Sequence, residues 1–312
     1  MTNIKTSDLI SLAEAILRKC GLNQSEVAIV VSHLLEEELM GKPSHGFFRL
    51  PGIVKALQDI DKSSAPFVEK ENGFSSLING ARHLGLVVAQ QACTHAKDRA
   101  KLSGIALVGV TNYVGTTGAM GYYTRQLAND NLIGICFCTS EYAVAPWGGK
   151  DAIFGTNPIS IGIPTSTAPI VVDLATSART YGELMLAVKE KKRIPEGIVL
   201  DSKGMPSTDP NDANNGCLLP MAEHKGYCLG LAIEILSGIF VGSKAGKTTV
   251  IGSDGMLFIV FKPDMFVTAS QFAKQTDRLV EEITISAPAY GFSNIRIPGM
   301  GSLETYNANK RK

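Results

Sequence analysis

The sequence has no charge surplus of either sign. Thirty lysines and arginines stand against 29 aspartates and glutamates, a formal net charge of +1. Nucleic-acid binders usually carry a basic excess, so this balance gives no electrostatic case for one. Aromatic residues are scarce at 7%, with one tryptophan, whereas 31 of the 312 residues are glycine. That combination suits an α/β protein with many tight turns. No Cys-x-x-Cys occurs, and Cys20, Cys93, Cys136, Cys138, Cys217 and Cys228 follow neither a disulfide nor a zinc spacing. They read as free thiols in a reducing compartment, with no metal site. Long hydrophobic runs are also missing: Leu229 to Val241 is too short to span a bilayer and carries Glu234 in its middle. Asp8, Glu14, Arg18 and Lys19 interrupt the stretch where a signal-peptide core would lie. These features predict a soluble cytoplasmic protein that engages neither membrane nor nucleic acid.

What is present is an ordinary globular composition, 45% hydrophobic and 19% charged, long enough for one large or two modest domains. Ser7 can cap a first helix that stops at Gly21, and Asn23 to Met40 has helical periodicity. After Ser44-His45-Gly46 the stretch to Gln58 is mostly helical in pattern, with Pro51 at a start or kink. Further helices are expected over 84–100, 117–129, 183–192, 225–240 and 269–286. Strands are expected over 105–110, 132–138, 159–163, 170–173 and 256–261. The alternation predicts an α/β fold. The Asp201–Gly216 loop is longer than a usual connection, a feature common in functional or mobile loops.

Two segments nearly match nucleotide-binding loops. Gly242 to Thr248 has one residue too few between its glycines for a phosphate loop, and a helix precedes it, so it reads as a surface loop. Gly115, Gly118 and Gly121 lie between a strand and a helix but lack the Gly-x-Gly start. No acidic residue follows at the ribose position, so a Rossmann fold is not expected. Ser44-His45-Gly46-Phe47-Phe48-Arg49 is more informative. A helix would place His45 and Arg49 on one face. Histidine can give a proton to a carbonyl oxygen while arginine holds a carboxylate. Spacing alone favours a solvent-facing pair. Lys225, beside His224 at a helix N-terminus, is electrostatically misplaced unless it serves an anion or reaches solvent. Glu234 reads as a partnered buried acid. Gly155-Thr156-Asn157-Pro158 and Asp173-Leu174-Ala175-Thr176-Ser177 sit at strand ends, where open sheets place ligands.

Taken in order with Pro146-Trp147-Gly148-Gly149, Thr208-Asp209-Pro210, Leu219-Pro220 and Ile297-Pro298-Gly299, these motifs resemble the type-2 malate/L-lactate dehydrogenase family across nearly the whole chain. The resemblance implies a non-Rossmann nicotinamide-binding α/β domain over 116–265. It also implies a helical, substrate-side domain from 1–115 with 266–312, and a homodimer with the site near the subunit interface. It implies hydride transfer between NAD(P)H and a small 2-keto acid or, in the alternative, a cyclic 2-imino acid. A cofactor-binding protein without turnover is the third reading. His45 matches the acid/base residue, with Lys225 supporting it. Arg49, Ser44, Thr116 and Asn157 match substrate contacts. Ser140, Asp173, Leu174, Ala175, Thr176, Ser177, His224, Lys225, Gly299, Met300 and Gly301 match cofactor contacts. Tyr181, where some relatives carry an arginine, tilts the expectation to NADH over NADPH, although Arg179 is near. A second family histidine is replaced at Thr116, leaving Thr117 or Tyr113 as poor proton relays.

Overall fold

The computed structural model describes residues 4–60, 64–249 and 252–311. Helix α1 (Thr6–Lys19) starts one residue before Ser7, so the expected cap lies inside its first turn. Helix α2 (Gln24–Leu39) is capped as its sequence predicts. Asn23 accepts from the Ser25 and Glu26 amides, and the Glu26 side chain returns to the Asn23 amide. The stretch expected to be mostly helical after Gly46 forms one 3-10 turn, Phe47–Arg49, followed by the short helix α3 (Leu50–Ala56), with Pro51 at its start as expected. Gly46, just before it, leaves the helical region (φ −84°, ψ −150°).

Ten strands follow: β1 (Phe67–Asn72), β2 (Ser75–Leu84), β3 (Ile105–Val114), β4 (Ile133–Cys138), β5 (Ile159–Ile163), β6 (Ile170–Leu174), β7 (Val199–Leu200), β8 (Pro206–Ser207), β9 (Cys217–Leu218) and β10 (Met256–Phe261). Seven form one sheet in the order β1-β2-β3-β10-β4-β5-β6, and β8-β7-β9 form a small second one. Within the large sheet only β2 and β3 run parallel; every other pair is antiparallel. A Rossmann sheet is parallel throughout its nucleotide-binding half, so the fold is α/β of another kind, as expected. The division expected at 115/116 falls at the end of β3, which pairs with β10 from Ile105 to Val110. The large sheet therefore runs across that boundary.

Helix α4 (Gly85–Ser103) crosses from β2 to β3. Its fully buried stripe of Ala89, Ala92, Ala96 and Ala100 lets the backbone pack closely on Ala106, Val108, Val110 and Phe258. Helix α5 (Met120–Asn129) covers the same face beside β4 and β5. On the opposite face lies α7 (His224–Glu234), preceded in the chain by α6 (Tyr181–Lys189). The apolar run after α7 does not stay α-helical to Phe240: residues Ile235–Ile239 form a π turn, where Ser237 Oγ donates to the Ile233 carbonyl. Ile233 and Val241 from this segment pack on Phe137 and Leu257, while Leu231, Ile235, Ile239 and Phe240 remain exposed.

Two helices complete the chain. Helix α8 (Ala269–Thr284) has no buried residue and shows Leu279 and Ile283 to the surface. Helix α9 (Met300–Lys310) returns to the N-terminal helices, and Asn309 Nδ2 donates to the Leu39 carbonyl at 2.9 Å. The two chain ends thus meet beside the segment that carries His45.

Candidate active site

The turn that follows α2 is built from within. The His45 amide donates to the Lys42 carbonyl at 2.9 Å, and the Gly46 amide to the Pro43 carbonyl at 3.1 Å. Glu38 reaches over this turn, and its Oε2 accepts from the Phe47 amide. A Cβ at residue 46 would lie 2.2 Å from that oxygen, so a larger residue would push the Glu38 carboxylate off the Phe47 amide. His45 and Arg49 are therefore brought together by a turn and a 3-10 step rather than by one helical face. Ser44 Oγ lies 3.1 Å from His45 Nδ1, which leaves Nε2 as the nitrogen free to exchange a proton. Gly182, in the first turn of α6, closes the other side: a Cβ there would meet the Ser44 carbonyl at 3.0 Å and Arg49 Nη1 at 3.7 Å.

Burial pushes the His45 imidazole down to about 4. Arg49 and Lys42 push the same way, while Asp173 and Glu183 oppose them. Burial also lowers Arg49, whose guanidinium still stays charged. An anion bound at Arg49 would cancel part of the positive field and raise His45 toward neutral pH.

Four further groups lie behind this turn, and the sequence reading did not select them as a set. Lys42 Nζ sits 3.2 Å from Asp173 Oδ2 and 3.7 Å from Glu37 Oε2. Burial works against the Lys42 charge, but the two carboxylates outweigh it and hold the ammonium above its usual range. Glu37 is completely buried with no hydrogen bond to either oxygen, and burial raises its carboxyl. His33, one turn earlier on α2, accepts from the Ala119 amide through Nε2 at 3.0 Å. The signal was there to be read: His33 and Glu37 are polar positions four apart on a helix otherwise buried by Val27, Val30, Val31 and Leu34.

A second cluster lies between β4, β5 and α7. Ser140 Oγ accepts from the Thr156 amide at 3.1 Å. Thr176 Oγ1 donates to the carbonyls of Thr156 and Asn157. Asn157 is fully buried with a left-handed backbone (φ 36°), and its Nδ2 donates to the Gly230 carbonyl and to Glu234 Oε2 at 2.6 Å. Glu234 also accepts from the Gly246 amide, so it is the partnered acid expected. Asn157 Oδ1 has no partner. Between Ser140 and Asn157 lies Gly155, where a Cβ would stand 2.4 Å from Ser140 Oγ and 2.7 Å from Asn157 Oδ1. At Gly155 the Ser140 and Asn157 atoms close directly on the backbone, and the buried Asn157 Oδ1, an acceptor without a donor, fits the amide of a planar group such as a nicotinamide.

The remaining expected residues divide between these clusters. Asp173 belongs to the His45 group through Lys42. Leu174 and Ala175 follow it toward Thr176 and Ser177, whose hydroxyl turns back to the Arg179 carbonyl. His224 and Lys225 stand exposed at the start of α7 and join the second cluster through Gly226, which packs on the Thr176 carbonyl. Gly299 rests on Val171, two residues before Asp173, and Met300 and Gly301 open α9. Thr116 Oγ1 accepts from the Gly118 amide. Tyr113 is fully buried, and burial lifts its phenol well above its usual range, so it does not relay a proton to a bound substrate. Among the described residues no group of three histidine, cysteine or acidic side chains is placed to hold a metal, and no helix is long and apolar enough to cross a membrane.

A shielded histidine beside an arginine, together with the buried unpaired acceptor of Asn157, suits an oxidoreductase site. The pattern of the malate/L-lactate dehydrogenase family matches residues 4–312. A malate/(S)-sulfolactate dehydrogenase of Methanothermus fervidus is 37% identical over 97% of this chain and 89% of its own. An NAD(+)-named ureidoglycolate dehydrogenase of Escherichia coli K12 is 30% identical over 95% of this chain and 87% of its own. The solved sulfolactate dehydrogenase of Methanocaldococcus jannaschii superposes with a TM-score of 0.88 at 34% identity, over 98% of this chain and 90% of that one. The chain belongs to the malate/L-lactate dehydrogenase family.

Proposed function

We propose that this protein reduces a small 2-keto acid to the 2-hydroxy acid, with NADH as cofactor. The observation that carries the reading is the shielded turn in which His45, oriented by Ser44, lies beside Arg49. The nicotinamide, when bound, supplies the hydride. Ser140, Asn157, Thr176 and the start of α7 would hold it, with the free Asn157 Oδ1 accepting from its amide. Arg49 takes the substrate carboxylate through its paired N–H groups. That charge raises His45, whose Nε2 then gives its proton to the oxygen on the carbon that receives the hydride. Thr116, hydrogen-bonded to the Gly118 amide and not titratable near neutral pH, leaves His45 as the one proton donor in this reading.

NADH is favoured over NADPH for a local reason. Arg179, two residues before Tyr181, lies 3.9 Å from Glu183, whose charge opposes a 2′-phosphate. The exposed apolar stripes on α7, its π turn and α8 support a two-fold dimer. Six unpaired thiols fit the cytoplasm.

The test is NADH oxidation against pyruvate, oxaloacetate, sulfopyruvate, diketogulonate and Δ1-piperideine-2-carboxylate, with His45→Ala beside the native protein. A 2-keto acid should be the best substrate, and His45→Ala should lower kcat by roughly 10²–10⁴-fold. Preference for the cyclic imine would overturn the substrate class. An unchanged kcat in His45→Ala would overturn the site.

A further inference from the structure

Lys42 is an unusual residue to find behind a catalytic turn. Its ammonium is wedged between Asp173 on β6 and Glu37 on α2, at 3.2 Å and 3.7 Å. Glu37 is sealed from solvent and has no hydrogen bond to either oxygen. Asp173 cannot move away easily. It packs over the first turn of α5, where a Cβ on Gly121 would come 2.7 Å from its Oδ2. The positive end of that helix also favours the carboxylate there. Lys42 and His45 belong to one turn, joined by the hydrogen bond from the His45 amide to the Lys42 carbonyl. The charged and titratable groups that face His45 are Asp173 from β6, Glu183 from α6, His33 from α2, and Lys42 and Arg49 from its own segment.

We propose that Lys42 is a positioning residue that acts on His45 through Asp173, pairing with the carboxylate so that it does not capture the imidazolium. An acid that must release its proton to substrate works poorly if a neighbouring carboxylate holds that proton. Asp173 alone would do so, because an opposite charge close by stabilises the charged imidazole. With Lys42 in place the pair presents little net charge to His45, and Glu37 holds Lys42 from behind. The inference rests on the proposed role of His45 but not on the identity of the keto acid.

The experiment compares the native chain with Lys42→Met, Lys42→Gln and Lys42→Arg. His45 is followed by NMR in histidine-labelled protein without substrate, its signal assigned through His45→Gln. The pH profile of kcat/KM is measured with NADH. Loss of the cation should move the His45 midpoint upward by about one pH unit in both neutral variants, and Lys42→Arg should hold it near the native value. The alkaline edge of the titration, above about pH 5, is enough to read the displacement. A midpoint that stays in place, or falls, in whichever neutral variant folds would overturn the proposal. The two readings fail separately. A displaced midpoint with no turnover of any substrate would remove the reductase assignment and keep the role of Lys42. Turnover with an unmoved midpoint would do the reverse.

Discussion

His33 offers a test of the fold that needs no substrate. Its ring is fully buried, stacked 4.2 Å from Tyr122 and accepting the Ala119 amide through Nε2. A Cβ on Gly118 would lie 2.2 Å from that nitrogen, so the ring fills the space beneath the loop completely. Burial pushes the imidazole down to about 3 from its usual 6.5, and His45, Arg125 and Lys42 act in the same direction. In the unfolded chain the group titrates normally, so between those limits the unfolded state binds the extra proton. Stability from this residue is therefore complete above about pH 6.5 and is lost as pH falls.

The size follows from linkage. Going from about pH 7 to about pH 5, the unfolded histidine becomes almost fully protonated and the folded one stays neutral, which costs about 2 kcal/mol. Carried to the folded midpoint the loss approaches about 5 kcal/mol. His33→Gln keeps an acceptor for the Ala119 amide and removes the titration. Urea unfolding of both proteins at the two pH values, at one protein concentration, isolates the residue because every other titrating group cancels in the difference. The native chain should lose about 2 kcal/mol more than the variant. Equal losses, within about 0.5 kcal/mol, would mean that His33 is protonated or hydrated in the folded protein and that the packing described for it is wrong.

Arg49→Gln should raise KM for the keto acid roughly 10–100-fold with a smaller change in kcat, because the carboxylate is bound alike in ground and transition states. A fall confined to kcat in steady-state kinetics would contradict that role. Gly155→Ala places a methyl 2.4 Å from Ser140 Oγ and 2.7 Å from Asn157 Oδ1. It should weaken NADH binding by roughly tenfold or more, read by nucleotide fluorescence. Unaltered affinity would move the nicotinamide elsewhere. Light scattering at micromolar concentration should show twice the chain mass, and a single-chain species would leave the apolar faces of α7 and α8 without an explanation.

The parts of this protein that are legible in its sequence are those decided locally. The Asn23 capping box, the apolar strands β4 and β10 and the Ser44–Arg49 segment each announce themselves within a few residues. Strands β1 and β2 do not. Phe67–Asn72 is exposed at every position and β2 is rich in serine, asparagine and glycine, so neither carries the alternation that marks a strand. The turn before Phe47 is tied down by Glu38, a side chain on the preceding helix that accepts from the Phe47 amide, and no local pattern announces that contact. The pairing of Lys42 with Asp173 spans 131 positions, and no spacing rule reaches that far.

The glycines at 115, 118 and 121 show what a near-match to a dinucleotide loop does in this fold. Their rhythm invites comparison with a dinucleotide loop. In the fold each is required by a side chain arriving from elsewhere: Ala56 2.9 Å from a Cβ at 115, His33 2.2 Å from one at 118 and Asp173 2.7 Å from one at 121. Two of those side chains, His33 and Asp173, belong to the groups that surround His45. These glycines let His33 and Asp173 approach the loop, whereas Gly155, the glycine of the proposed nicotinamide site, lies between β4 and β5. Close approach of backbone to side chain and close approach of backbone to phosphate select the same residue. Only the structure around a glycine distinguishes them.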